Sequence, residues 1–479
     1  MVRRGAPAID RVTEAAPDVL VLGGGPAGAA AARLLALWGH RVVLRTKPHP
    51  SSPKLAESIP PSTQKLFDVL GVRGDVDRAG FIRSTGNTVW WGSEARVEPF
   101  VGGARGWQVT ASELAGVLLD AATAAGVMIE RATARDGAAD GVEAAFTMDC
   151  TGRAGVIARA ADLRLAEPGD HTVAVVATWH KAQFDLPDAT HTVLESYADG
   201  WAWSVPLGAG RAVAVMVDRR RSNLARDRAA REVYDLEIQK TTRFRALLAD
   251  ATMVDGPFGW DASMYSSRRY VVDHRLLVGD AASFIDPLSS AGIKKALASA
   301  WLAAVAVHTS LVRPSMRQLA LDFYAAREAE VYRAFRTMAR RFLAGAAAAH
   351  DHPFWSDRTD PEDHDDDRAD VEAAFHRIRQ YDAVRLRRSD EVRIETLPAV
   401  SGREIVLEPR LVTSATPQGV RFVADVDVLA LVDLAPSMGS VPDLFDAYNR
   451  HAAPVGLPEF LTALSTAVAR RWLVIDALP

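Results

Sequence analysis

At 479 residues the chain is too long for one ordinary core, and two to four domains are expected. A hydrophobic fraction of 48% beside 24% charged residues is globular, and a net charge of −4 offers no basic excess for nucleic acid. Cys150 is the one cysteine, which excludes an intramolecular disulfide.

Residues 1–16 are polar and contain acids, and read as a flexible extension. The apolar run after them is broken by GGGPAG, unlike a signal peptide. No apolar segment reads as long enough to span a bilayer, so a cytoplasmic protein with no membrane partner is expected. Residues 18–46, DVLVLGGGPAGAAAARLLALWGHRVVLRT, read as a βαβ unit: strand Asp18–Leu22, an alanine-rich helix, strand Arg41–Arg45. Gly23, Gly25 and Gly28 form GxGxxG, with Pro26 and Ala27 between them. The spacing allows a tight turn, close approach to a pyrophosphate and close helix packing. An acid would normally end the second strand and bind a ribose; Thr46 stands there instead.

Two later segments bear on which dinucleotide binds. MDCTGRAG, residues 148–155, ends a strand with Asp149, Gly152 and Arg153. LLVGDAASFIDPLSSAGIKKALASAWLAA, residues 276–304, is a strand, the Gly279-Asp280 turn, a loop through Pro287, and a helix opening at Ala291, Gly292 and Ile293. Together the three resemble the FAD-binding segments of the p-hydroxybenzoate hydroxylase-like flavoproteins, over roughly residues 17–345. The resemblance implies FAD, with Asp280 on a ribityl hydroxyl and Gly292 under a flavin carbonyl. Ala111 departs from it, since relatives carry an arginine there.

AESIPP (56–61) resembles the GES-x-P-P segment of flavin-dependent halogenases, keeping Glu57, Ser58 and Pro61. GWAWSVPL (200–207) resembles their Trp-x-Trp-x-Ile-Pro signature, with Trp201 and Trp203 on one face of a strand. DPLSSAG (286–292) resembles their flavin and halide loop, with Pro287 and Ser290 at the reaction. Those enzymes use reduced FAD and dioxygen to form a flavin C4a-hydroperoxide, and a lysine to aim the oxidised halide. Aligned on FIRSTGNTVWWGS (81–93), the lysine position is Ser84, beside Arg83, and no lysine lies between Lys65 and Lys181. Ser289 stands where tryptophan-specific members carry an acid. His180 reads as a surface histidine, and Lys294 and Lys295 as solvated charges. No metal site is read; the acidic run at 351–372 is expected to be a solvated loop.

Residues 314–382 read as mostly helical. EIVLEPRLVTSATPQGVRFV (404–423) reads as two strands joined across Thr416–Gly419, followed by three helices. That order resembles small winged-helix domains that recognise leader peptides. The expected fold is α/β: a Rossmann-type FAD-binding domain with an inserted mixed-sheet substrate domain, a helical region and a small winged-helix-like α+β domain. Its expected parts are FAD domain 17–165 and 270–345, substrate sheet 166–269, helical and acidic linker 346–403, and peptide-recognition domain 404–479.

The chain as a whole resembles the halogenase-branch flavoprotein monooxygenases that oxidise a tryptophan residue during tryptophylquinone biogenesis. That implies hydroxylation of an aromatic substrate, an indole or tryptophan, including one borne on a peptide or protein. Electrons would come from a separate flavin reductase or from transiently docked NAD(P)H. The alternative is halogenation. Two other classes are an FAD-dependent reductase of isoprenoid type and a non-catalytic flavin-bearing peptide module.

Overall fold

The computed structural model describes residues 16–47, 56–133, 143–222, 224, 229–359, 367–380 and 385–476. The expected N-terminal extension, up to residue 15, and part of the acidic run, 360–366, lie outside the described residues. The chain divides into two compact units, 1–360 and 361–479.

The first unit holds a six-stranded sheet in the order Val271–Val272, Arg275–Leu277, Phe146–Asp149, Val19–Leu22, Val42–Thr46, Met128–Arg131. All its pairings are parallel except the outer hairpin of Val271–Val272 with Arg275–Leu277. VLVL and FTMD are buried throughout, as strands covered on both faces by helices must be. Helix Pro26–Leu37 packs on Gly292–Val312, which packs on Arg317–Ala347. Contrary to the sequence expectation, Gly292–Val312 is long and apolar enough to cross a bilayer, but 67% of that stretch is buried inside the protein, as a core helix is.

A seven-stranded sheet follows, in the order Thr252–Asp261, Thr172–His180, Gly210–Asp218, Gly200–Leu207, Thr192–Tyr197, Gly86–Trp91, Glu94–Pro99. Its last two strands come from the segment 17–165, so the substrate sheet is not confined to 166–269. Gly86–Trp91 joins it by a parallel pairing to Thr192–Tyr197, which two segments far apart in sequence can make without a hairpin. The strand Gly200–Leu207 is central. Trp201 opposes Met216 and Trp203 opposes Ala214, while Ala202 packs on the other face near Tyr197. Pro206 does not stop this strand. Pairing with Thr192–Tyr197 has already ended at Ser204, so the missing N–H breaks no ladder there.

In the second unit the sequence reading needs correcting. Arg393–Ser401, assigned to a linker, is a strand that pairs with Glu404–Thr413 through a turn at Gly402, φ +60°. Thr416–Val420, taken as a turn, is a third strand; the real reversal is at Ser414 and Ala415, closed by Thr413 Oγ1 and Thr416 Oγ1 at 2.8 Å. Pro417 is tolerated because that strand is at the sheet edge. Helices Val428–Leu434, Val441–His451 and Leu457–Ala469 form as expected, the second capped by Ser440. The chain then returns as the strand Leu473–Asp476 against Arg385–Arg388. Leu431, Tyr448, Phe460 and Trp472 are the core of this unit.

Candidate functional site

The turn after Val19–Leu22 is too tight for side chains. A Cβ at Gly28 would lie 1.8 Å from the Gly23 carbonyl oxygen, and one at Gly23, φ +105°, would lie 2.3 Å from that of Cys150. Gly25 caps the twelve-residue helix without a side-chain hydrogen bond, and Pro26 takes its first position. A Cβ at Gly25 would meet nothing within 4 Å. The space beside Gly25 is therefore open at the positive end of a helix, which suits a phosphate. Thr46 ends its strand over the same turn: a Cβ at Gly24 would lie 2.6 Å from Thr46 Oγ1.

Asp149 does not face this opening. It is fully buried; Oδ1 accepts from Thr151 N at 3.1 Å and Thr151 Oγ1 at 2.6 Å, and Oδ2 from Ile157 N at 2.8 Å. Its expected cofactor contact is corrected to a clamp on the turn that carries Gly152, φ +61°. Arg153 is likewise held by protein groups. Its guanidinium lies 4.0 Å from the Phe284 ring centroid and 3.3 Å from Asp261 Oδ1.

Asp280, in the turn Gly279–Ala281 after the strand Arg275–Leu277, is different. Its carboxylate is partly exposed, and Lys295 Nζ stands 3.7 Å away. Lys295 is buried, not solvated as expected, and donates to the carbonyls of Gly279 and Ser283, so it stiffens the turn from behind. Lys294 donates to Ser62 Oγ at 2.9 Å. Glu57 enters from the strand Ala56–Ile59; burial, then the charge of Asp280, pushes its carboxyl up to about 7. A Cβ at Gly292 would be 3.9 Å from Glu57 Oε2, so strand, turn and helix start converge. Ser58 Oγ accepts from Thr192 Oγ1 at 2.9 Å and ties that strand to the larger sheet.

The loop before that helix is braced by Asp286, whose carboxylate accepts from Leu288 N at 2.9 Å and is pushed up to about 7 by burial. Pro287–Ser289 makes one 3-10 turn, and Ser290 adopts φ +46°. Ala291 is buried with Ile285 and Tyr332; Ile293 is buried on the helix. Leu288 packs on the cluster that contains Trp201 and is also touched by Trp203, Trp260 and Phe342.

The two tryptophans have separate places. Trp201 is 1% exposed and lies edge-on to Trp91 at 6.2 Å, so this tryptophan of the Trp-x-Trp signature, read as a candidate catalytic residue, is placed in the core instead. Trp203 is partly exposed, its Nε1 is buried without a partner, and it reaches both the Leu288 cluster and that of Ala56. Trp260 Nε1 is also buried without a partner. Sequence reasoning missed Trp260; the only signal was an aromatic in a strand ending DGPFGWD. Ser84 is 1% exposed and its Oγ donates to the Gly86 carbonyl at 3.2 Å. Arg83, beside the lysine position and a candidate to take over its role, is engaged at all three nitrogens by Gly106, Asp77 and Arg105 and lies over Trp107, so it is committed to structure instead. His180 is exposed at a strand end.

The family model described as tryptophan halogenase matches residues 101–391. This chain belongs to the tryptophan halogenase family. Among curated members it is 27% identical to a tryptophan 2-halogenase of Chondromyces crocatus, over 64% of each chain. It is 26% identical to the flavin-dependent halogenase armH4 of Armillaria mellea, over 66% of this chain and 70% of that one. Among solved structures, the flavin-dependent halogenase CmlS has a TM-score of 0.78 at 21% identity, covering 96% of each chain. The peptidyl tryptophan dihydroxylase QhpG has a TM-score of 0.64 at 23% identity, covering 96% of this chain and 98% of that one. At those identities the two structures share the fold.

As a tryptophan halogenase family member the chain presents the residues of an FAD site, and they fit the group on their own geometry. The bare helix start at Gly25 suits the diphosphate. Asp280 is a partly exposed carboxylate that would suit a ribityl hydroxyl, and the uncapped start of the 21-residue helix at Gly292 and Ile293 would suit a flavin carbonyl. Among the described residues no group of three or more metal-ligating side chains occurs.

Proposed function

We propose that this chain is a flavin-dependent oxidoreductase that directs an oxidant to an electron-rich aromatic ring held against Trp203. The observation that carries this reading is the placement of Trp203. It is half-buried with an unpaired indole N–H, between the Glu57 strand and Leu288 of the flavin loop. Bound FAD would supply stored electrons and activation of dioxygen. The chain's own residues do the rest. The helix starts at Gly25 and Gly292 orient the cofactor, Asp280 holds its sugar chain, and Leu288, Trp203 and Trp260 exclude water and stack the substrate.

Halogenation is the first reading, supported by the family match and by relatives whose names describe halogenases. Hydroxylation is the second, and a specific observation favours it. Ser84, at the position of the relatives' lysine, is buried with its hydroxyl turned back to its own backbone. No ammonium there can capture an oxidised halide. A tryptophan borne on a peptide is the proposed substrate of that second reading, since QhpG is described as acting on peptidyl tryptophan. Electrons are proposed to come from a separate reductase or from NAD(P)H.

The test supplies chemically reduced FAD, dioxygen and bromide with tryptophan, indoles, phenols and tryptophan-bearing peptides, read by mass spectrometry. Bromine in place of hydrogen supports the first reading. Gain of one oxygen atom regardless of halide supports the second. No product from any ring sinks the proposal.

A further inference from the structure

A cavity of about 680 Å³ lies between the segment Ser266–Asp273 and one face of helix Arg317–Ala347. Its lining holds four arginines, Arg268, Arg269, Arg333 and Arg336, against two acids, Asp273 and Asp322. Asp322 already accepts from Gln318 Nε2 at 2.9 Å. Arg336 reaches Glu167 only at 3.7 Å, and that carboxylate is taken by Tyr332 Oη and Arg340 Nη2, both at 2.9 Å. Arg333 Nε donates only within its helix, to the Ala329 carbonyl at 3.3 Å. Among the described residues the exposed side chains of Arg268 and Arg269 have no hydrogen-bond or ion-pair partner. Between the charges runs an apolar shelf of Leu321, Ala325 and Ala329.

Guanidinium groups in excess, on two facing walls, match the oxygens of a phosphate ester better than those of a single carboxylate. The volume exceeds what inorganic phosphate needs, and the shelf suits a flat ring system beside the charges. We propose that this cavity binds the nucleoside diphosphate moiety of a soluble nucleotide, with Arg268 and Arg269 on its phosphates. The site is distinct from the FAD turn, because none of its lining residues belongs to the segments around Gly25, Gly152 or Gly292. It is also joined to the reaction loop: Ser267 Oγ donates to the Ala282 carbonyl at 2.6 Å, and Tyr332 packs on Ile285 and Ala291. The inference goes beyond the proposed oxidation of an aromatic ring and does not require it.

The experiment uses full-length protein loaded with one equivalent of FAD and freed of excess flavin, so that the first nucleotide site alone is filled, and titrates ADP, NADH, NADPH, pyrophosphate and adenosine by calorimetry. ADP is expected to bind and adenosine not. Affinity should fall with added salt, and by about tenfold or more in the Arg268→Ala/Arg269→Ala variant. Tighter binding of NADH or NADPH than of ADP identifies a dinucleotide as the source of the moiety; equal binding identifies the nucleoside diphosphate alone. Retained flavin absorbance shows that a variant is folded. Should the double variant lose flavin, Arg269→Ala and Arg333→Ala carry the same comparison. Absence of ADP binding to the protein holding one equivalent of FAD, equal binding of adenosine, or unchanged affinity in the folded variants overturns the proposal. Product formation with chemically reduced FAD should be unchanged in these variants, so a failure of the nucleotide site reads separately from a failure of the oxidation.

Discussion

Glu57 and Asp280 carry opposite assignments although both are acids beside the same helix start. Burial and the neighbouring charge raise Glu57 from its ordinary value near 4.5 to about 7. Asp280 stays partly exposed near Lys295. Asp280→Ala should weaken FAD binding about 10- to 100-fold, the worth of one hydrogen bond to a charged group, measured by flavin fluorescence titration. Glu57 has a consequence for stability. Between its unfolded and folded pKa values the folded chain keeps a proton that the unfolded chain gives up. Stability of the FAD-free protein should therefore fall as pH rises from about 4.5 to about 7 and level off above. Asp286 and Glu328, also raised to about 7 by burial, act in the same direction. Glu57→Gln should flatten that slope by up to about 3 kcal/mol without abolishing it, as read from denaturant midpoints across the range.

The strand Gly200–Leu207 shows how one element divides its work. Period two placed both tryptophans on one face, and that much was legible in the sequence. Which of them would be sealed in was not, because Trp91, Phe342 and Trp355 arrive from distant segments to close over Trp201. Trp201→Ala should cost about 3–5 kcal/mol of stability, as large core truncations do, read by thermal unfolding. Trp203→Ala should leave flavin content unchanged and reduce product formation; equal damage to both would return Trp203 to the core. The turn 23–28 is the opposite case, where local sequence sufficed. Gly28→Ala puts a methyl 1.8 Å from the Gly23 carbonyl oxygen and should abolish FAD binding, seen as colourless purified protein.

At the scale of the molecule, each unit has its own core. In residues 361–479, Leu431, Tyr448, Phe460 and Trp472 are buried on one another. Phe460→Ala should cost that unit about 3–5 kcal/mol, read as a lowered transition in a thermal melt, with flavin absorbance as the control for the first unit. The glycine turn 23–28 and the Gly279–Asp280 turn between its strand and helix were legible from the chain alone, because glycine spacing and strand–turn–helix order are local and are dictated by backbone sterics. So were the helices with strong caps, such as the one begun by Ser440. The strand Arg393–Ser401 was not legible: its pattern is mixed, and its partner, not its own residues, makes it a strand. The same holds for the fate of charges. Composition could not say that Lys295 would be buried behind Asp280, that Asp149 would be spent on a turn, or that Arg83 would be tied to Asp77, Gly106 and Arg105. Local chemistry is written in neighbouring residues; burial and pairing depend on which distant surfaces meet, and only tertiary contact decides that.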